Sequence, residues 1–236
     1  MIDFHSHILA DMDDGSRNVD ESVQMLRQSS GMGIDTIVAT PHYYSNRDTI
    51  SNYLSQRNER YQILMNELKE SFDVPEIVLG AEVAFFSGMS REKDITRLCI
   101  DKTRYMLLEM PFFEWSSLTV SEIKSLIASR GITPIIAHIE RYFSIQQKNG
   151  KIDEILDLGV IFQTNSEALT DGSNTRKILK MIDANKIHLL GSDCHNAAER
   201  PPNLDHAFKI IGRKLGNSAL KKIDTNGRKI LNDKWI

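Results

Sequence analysis

The chain opens Met1-Ile-Asp-Phe-His-Ser-His7, and the reading of these seven residues decides how the rest is understood. Extended residues two apart point to the same side. His5 and His7, at the end of a short apolar start, therefore aim both imidazoles at one point, as a metal ion requires. A lone His-x-His pair has an ordinary explanation too, as two core histidines with satisfied hydrogen bonds. It carries chemistry only if further strands deliver ligands to the same place.

Downstream, β-rich runs alternate with helical stretches almost to the C-terminus. The runs are Asp35-Thr-Ile-Val-Ala-Thr40, Glu76-Ile-Val-Leu-Gly80, Arg104-Tyr-Met-Leu-Leu-Glu109, Ile132-Thr-Pro-Ile-Ile-Ala137, Gly159-Val-Ile-Phe-Gln-Thr164 and Ile187-His-Leu-Leu-Gly191. With the opening run they give seven strands, ending near Phe4, Thr40, Glu82, Met110, His138, Asn165 and Asp193. Near-continuous apolar runs, without alternation, indicate parallel strands covered on both faces. Helices are predicted over 19–32, with Asn18 as N-cap and Gly33 as exit, and over 49–71, 119–130, 152–158, 176–184 and 204–214. A last helix from Ser218 onward returns to cover the barrel, with Trp235 packed against it. Seven β/α units without linker or repeat predict one domain over 1–236, a closed α/β barrel of the TIM type, with an open doubly wound sheet as the alternative.

Composition narrows the function. A net charge of -3 argues against a general nucleic-acid binder. No apolar run approaches the roughly 18 to 20 residues that cross a bilayer, and no basic-then-apolar leader precedes the histidine pair. Two cysteines, Cys99 and Cys194, fit a reducing compartment, so a cytoplasmic protein is expected. The first β/α turn has no Gly-x-Gly-x-x-Gly and the chain has no Walker sequence, which excludes nucleotide binding of those two kinds.

In parallel barrels chemistry gathers at the C-terminal strand ends. Here those ends carry His5 and His7, with Asp13 and Asp14 in the next loop, then His42, Glu82, Glu109, His138, Asn165, and Asp193 with His195. Five of the seven histidines fall there; His188, at a strand start, and His206, within a helix, read as structural. Any one of these residues could simply cap a carbonyl or meet an arginine. Together they are too many charges to gather without cations. Mixed nitrogen and oxygen donors suit Zn, Mn or Fe and not a calcium site of oxygens alone.

Asp3-Phe-His-Ser-His-Ile-Leu9, Asp13-Asp-Gly-Ser16, Ala39-Thr-Pro-His42, Gly80-Ala-Glu82, His138-Ile-Glu-Arg-Tyr142 and Gly191-Ser-Asp-Cys-His195 together resemble the PHP (polymerase and histidinol phosphatase) superfamily. Within it, the chain is most similar to the manganese-dependent tyrosine phosphatases encoded with bacterial capsule and exopolysaccharide genes. The resemblance spans essentially the whole chain and implies a distorted seven-stranded barrel with three divalent ions, Mn first and Fe or Zn as alternatives. It implies one ion on His5, His7, Glu82 and Asp193, a second on Glu82, Glu109 and His138, and a third on Asp14, His42 and His195. Arg141 and Arg200 match its phosphate-binding arginines. Departures are Ala10-Asp11 for the usual Pro-Gly, Tyr43 for a second His, and Ile139 for Pro; none removes a ligand.

Clustered divalent ions suit phosphoester hydrolysis, by giving hydroxide at neutral pH for in-line attack on phosphorus and by neutralising phosphoryl oxygens. Arg141 and Arg200 would clamp the remaining oxygens as permanently charged, bidentate donors. Cys194 and Arg200 have the five-residue separation of cysteine-dependent tyrosine phosphatases, but Cys194 lies between Asp193 and His195 in an extended segment and reads as a buried thiol facing away. Nine aromatics (Tyr43, Tyr44, Phe85, Phe86, Phe112, Phe113, Trp115, Tyr142 and Phe143) follow the ligands and suit an aryl phosphate. The resemblance implies that the target is the phosphorylated tail of a bacterial tyrosine kinase controlling polysaccharide export. Histidinol phosphate hydrolysis, an amidohydrolase, and a non-catalytic PHP module are the rivals.

Overall fold

A computed structural model of the chain describes residues 1–68, 73–170 and 172–236. Among the described residues nine strands are formed: β1 (Ile2–Ser6), β2 (Thr36–Ala39), β3 (His42–Tyr43), β4 (Glu76–Leu79), β5 (Glu82–Ala84), β6 (Tyr105–Glu109), β7 (Thr133–Ile136), β8 (Ile161–Asn165) and β9 (Leu189–Gly191). All pair in parallel, in the orders β1-β2-β4 and β3-β5-β6-β7-β8-β9. The seven runs read from sequence are present, but the second and third are each cut in two. The second breaks at Thr40-Pro41, where proline has no N–H for the ladder. The third breaks beside it, at Gly80-Ala81, and pairing resumes with His42 opposite Glu82.

The sheet curls until its first strand meets the segment leaving the last. Asp193 N donates to His5 O at 2.8 Å and His7 N to Cys194 O at 2.9 Å, around a bridge between Ser6 and Cys194. The result is a mixed α/β fold built on a curled parallel sheet.

Strand parity sorts the core into two apolar layers. Val38, Tyr105, Leu107, Ile135, Ile161 and Leu189 share one cluster with Ile2, Phe4 and Ile230. Their neighbours Ile37, Met106, Leu108, Ile136, Phe162 and Leu190 belong to the other, with the inner faces of the helices. Burial on both faces is why the strands read as continuous apolar runs. The smaller layer lies below the site, because Glu109 follows Leu107 by two residues and Gln163 and Asn165 follow Ile161 by two and four.

The helices are α1 (Val19–Gly31), α2 (Ile50–Glu67), α3 (Ser117–Arg130), α4 (Lys151–Leu156), α5 (Glu167–Thr170), α6 (Thr175–Asp183), α7 (Leu204–Leu215) and α8 (Asn217–Leu231). Asn18 caps α1 as expected, accepting from Glu21 N. Helix α3 begins two residues earlier than its apolar pattern suggests, because Ser116 and Thr119 close a capping box. The last residues of the predicted 49–71 helix, 69–71, lie outside the described residues. The short α5 and the 3-10 turns Met89–Arg91, Ile95–Leu98 and Ile139–Tyr142 have too few residues to show periodicity, and the sequence reading missed them. Trp235 is not packed against the barrel: it is 66% exposed, with the Arg104 guanidinium 4.5 Å from its ring.

Candidate metal centre

The first strand presents His5 and His7 as its alternation requires, and both are fully buried. Their Nε2 atoms face one another at 3.2 Å. Two imidazole nitrogens that close compete for a proton or share a cation. Glu82 Oε2 lies 3.1 Å from His5 Nε2 and 3.3 Å from His7 Nε2, and Asp193 Oδ1 lies 3.5 and 3.4 Å from the same atoms. Two glycines permit this approach. A Cβ on Gly191 would sit 2.5 Å from His5 Cβ, and one on Gly15 would sit 2.4 Å from the His7 carbonyl oxygen.

Glu82, at the start of β5, is the hub. Its Oε1 lies 3.0 Å from His138 Nε2 and its Oε2 lies 3.0 Å from His42 Nδ1. Glu109 Oε1 reaches His138 Nε2 at 3.5 Å, and Asp14 Oδ1 lies 3.6 Å from both His42 Nε2 and His195 Nε2. Three groups could each hold an ion: His7, Asp14, His42 and His195; His5, His7 and Asp193; and His42, Glu82 and Glu109. All nine residues singled out as ligands thus lie in one continuous cluster, although His7 and His42 fall into more groups than the sequence reading gave them.

Divalent ions fit this donor set. Nitrogen and oxygen atoms 3.1–3.5 Å apart can share a centre about 2 Å from each, the range of zinc bonds to His and carboxylate. Among the described residues, His42 Nδ1 and His138 Nδ1 are buried with no hydrogen-bond partner. For His42 this holds despite Glu82 at 3.0 Å, since the carboxylate lies out of line for an N–H bond.

The charges are mutually dependent. Burial alone would raise Glu82, but the His5 charge and the close imidazoles of His138, His42 and His5 hold it well below the usual carboxylate range. Burial likewise raises Asp193, and His5 and His7 bring it well below. Burial lowers His138 while Glu109 and Glu82 raise it, and the net is a rise to about 9. His195, disfavoured as a cation by burial and by His7, drops to about 4. His138 and Asp193 carry φ of 33° and 54°, left-handed values uncommon for non-glycine residues and concentrated at functional sites.

Around these groups stand two residues that the sequence reading gave no role: Asp13, noted only as part of the loop after the first strand, and Gln163. Asp13 Oδ2 lies 2.7 Å from His7 Nδ1 and accepts from His42 N at 2.8 Å, so it fixes the ring that offers Nε2 inward. Gln163 Oε1 lies 3.3 Å from His5 Nδ1 and accepts from His138 N at 2.8 Å. Its position two before Asn165 was a readable signal, since parity puts both on the site's face.

Arg141 and Arg200 converge on the opposite oxygen of Asp193, at 2.5 and 3.1 Å from Oδ2, where Asn165 Nδ2 also donates at 2.8 Å. Each guanidinium engages only Nη2; among the described residues, Nη1 and Nε of both have no hydrogen-bond partner. Of the nine aromatics, Tyr43, Trp115, Tyr142 and Phe143 are buried packing residues, whereas Phe112 and Phe113 are exposed. Phe112 stacks on His138 with centroids 5.9 Å apart, and Tyr44 lies 5.2 Å from His42. Cys194 is fully buried among apolar residues, and burial pushes its thiol up to about 12.

A curled parallel sheet with a nitrogen–oxygen cluster at its C-terminal end defines a class of proteins built to hold divalent ions. Within that class, the model of the CpsB/CapC family of capsular polysaccharide synthesis matches residues 1–232, and the chain belongs to that family. It is 33% identical to a putative tyrosine-protein phosphatase CapC of Staphylococcus aureus, covering 100% of this chain and 93% of that one. It is 32% identical to the tyrosine-protein phosphatase CpsB of Streptococcus pneumoniae over the full length of both. In structure it matches a chain from the crystal structures of YwqE from Bacillus subtilis and CpsB from S. pneumoniae, described as unique metal-dependent tyrosine phosphatases. The TM-score is 0.82 at 27% identity, covering 100% of this chain and 96% of that one.

Proposed function

We propose that this chain is a metal-dependent protein-tyrosine phosphatase acting in capsule or exopolysaccharide synthesis, by hydrolysis that does not use cysteine. The observation that carries the reading is the approach of His5, His7, Glu82 and Asp193 to within 3.1–3.5 Å, with two arginines on the outer oxygen of Asp193. The curled sheet is read as the distorted seven-stranded barrel of the PHP type, supported by the hydrogen bonds joining β1 to the segment after β9. Three ions, manganese first, would be held by His5, His7, Glu82 and Asp193, by Glu82, Glu109 and His138, and by Asp14, His42 and His195. Bound there, divalent ions supply an attacking water acidic enough to react at neutral pH and neutralise phosphoryl oxygens.

The residues of the chain do the rest. The free Nη1 and Nε donors of Arg141 and Arg200 take the phosphoryl oxygens as planar, permanently charged clamps. Asp13 and Gln163 hold His7 and His5 in the tautomers that leave Nε2 free for ligation. Phe112 and Tyr44 flank the mouth and receive the aryl ring by stacking and edge contacts. The substrate is the phosphotyrosine of a bacterial tyrosine kinase, and the setting is cytoplasmic; among the described residues no helix is long and apolar enough to cross a membrane. The test is turnover of a phosphotyrosine peptide after metal stripping and re-addition. Loss on stripping and recovery with manganese is expected; full activity in chelator would overturn the reading.

A further inference from the structure

Beside the metal centre lies a cavity of about 500 Å³ whose walls include Asp13, Asp14, His42, Tyr44, Arg47 and Asp48. Its charges are unevenly committed. Asp13 accepts from His42 N and Gly15 N and lies 2.7 Å from His7 Nδ1, while Asp14 faces His42 and His195. Asp48, next in sequence to the arginine, is occupied by Asn52 Nδ2 at 2.8 and 2.9 Å and by Thr49 N at 2.7 Å. Arg47 alone remains: among the described residues its guanidinium makes no ion pair and sits 4.4 Å above the Tyr44 ring. That contact holds the cation in place without neutralising it.

From this we infer that Arg47, held in place by Tyr44, is a side subsite that takes a carboxylate of the substrate peptide close in sequence to the phosphotyrosine. The inference rests on the phosphatase reading and specifies its substrate class: phosphotyrosine peptides with acidic flanks. The reach is right. The steps from His42 to the Tyr44 ring and from there to Arg47 are 5.2 and 4.4 Å, a span that two or three residues of extended peptide cover at about 3.3 Å each. Arg47 touches a flanking residue and not the phosphoryl group, so it sets specificity through KM and not kcat.

The test compares three phosphotyrosine peptides, with Glu, Ala or Lys flanking the phosphotyrosine, on the metal-loaded wild type and on Arg47→Ala and Arg47→Glu, with phenyl phosphate as a substrate lacking flanks. The wild type should favour the Glu peptide over the Ala peptide by roughly two- to fivefold in kcat/KM, the size of one solvent-exposed charge pair. Arg47→Ala should bring that ratio to about one, and Arg47→Glu should invert it in favour of the Lys peptide. Inversion is a result that misfolding cannot mimic. An unchanged preference in both variants, or no flank preference in the wild type, would overturn the subsite and leave the phosphatase reading standing. Failure of the wild type on phenyl phosphate and all three peptides would remove the phosphatase reading itself, and the subsite with it.

Discussion

Two ends of the curled sheet bury histidine in opposite ways. At the C-terminal end, His138 is pushed up to about 9, because Glu109 and Glu82 outweigh its burial. At the other end, His188 is pushed down to about 4 by burial, with Lys222 adding to the effect. There its Nδ1 accepts from Phe162 N, as a neutral ring can. Side chain and depth are alike; the carboxylates make the difference. One end is an assembly of charges needing a cation to be at ease, and the other is an ordinary apolar floor closed by Ile230 of α8. Changes at the first should cost activity, and changes at the second stability.

The largest effect belongs to the charged end. His5→Ala removes an imidazole that meets His7, Glu82 and Asp193 within 3.5 Å. Turnover should fall by more than about a hundredfold, beyond what loss of an outer-shell partner costs, and the bound metal measured by elemental analysis should fall with it. Near-normal turnover would place the reaction elsewhere. Ile230→Ala is the counterpart on the floor. It should lower unfolding stability by about 2–5 kcal/mol, measured by urea denaturation, while kcat per folded molecule holds.

Arg141→Lys and Arg200→Lys divide the charged end further. Lys cannot reproduce the planar fork, so each should lose roughly ten- to a hundredfold in kcat/KM while metal content holds. Wild-type kinetics in both variants would reduce the two arginines to clamps on Asp193.

Much of this contrast was legible in the sequence, for a local reason. A strand end is marked by the close of an apolar run, and His, Glu or Asp there needs no knowledge of the far chain to be noticed. The outer residues differ. Gln163 lies 158 positions from His5, and only the curl of the parallel sheet brings them together. The split of two predicted strands had a visible cause in Pro41 but none in the third run until its neighbour is known. The aromatic rim was overcounted because sequence cannot tell a wet ring from a dry one. Tyr142 is fully buried with its hydroxyl on Met110 O at 2.9 Å, and Trp115 donates to Pro111 O at 3.1 Å.

The neutral floor histidine gives a pH signature. His188 has a depressed folded pKa of about 4, against about 6.5 in the unfolded chain. Its contribution is therefore fully present above pH 6.5 and is lost as pH falls through the window down to 4, where the unfolded chain binds the proton first. The loss amounts to a few kcal/mol at most. His188→Gln keeps an acceptor for Phe162 N and does not titrate, so its urea midpoint should fall less between pH 7 and 4.5 than that of the wild type. Parallel decline in the two proteins would show that His188 is not what acid acts on.

The smallest effect is the one that separates metal from cysteine chemistry. Both routes hydrolyse phosphotyrosine, so substrate tests cannot distinguish them. Cys194 sits between Asp193 and His195, yet its thiol is fully buried with the apolar residues and not with the ligands. With burial pushing it up to about 12, the thiol stays protonated at neutral pH, whereas the thiolate is the nucleophile that cysteine chemistry requires. The neighbouring Arg200, which a cysteine enzyme would turn toward phosphate beside the thiolate, donates instead to Asp193. Cys194→Ser should therefore keep most of the activity, with a modest loss of stability from placing a hydroxyl in an apolar site, and no phosphocysteine should be trapped by rapid acid quench. Cysteine chemistry predicts the reverse pattern: a dead Cys194→Ser enzyme and a wild type indifferent to chelator. Because His5→Ala leaves Cys194 in place and Cys194→Ser leaves the ligands in place, the two variants together assign the nucleophile whichever way the result falls.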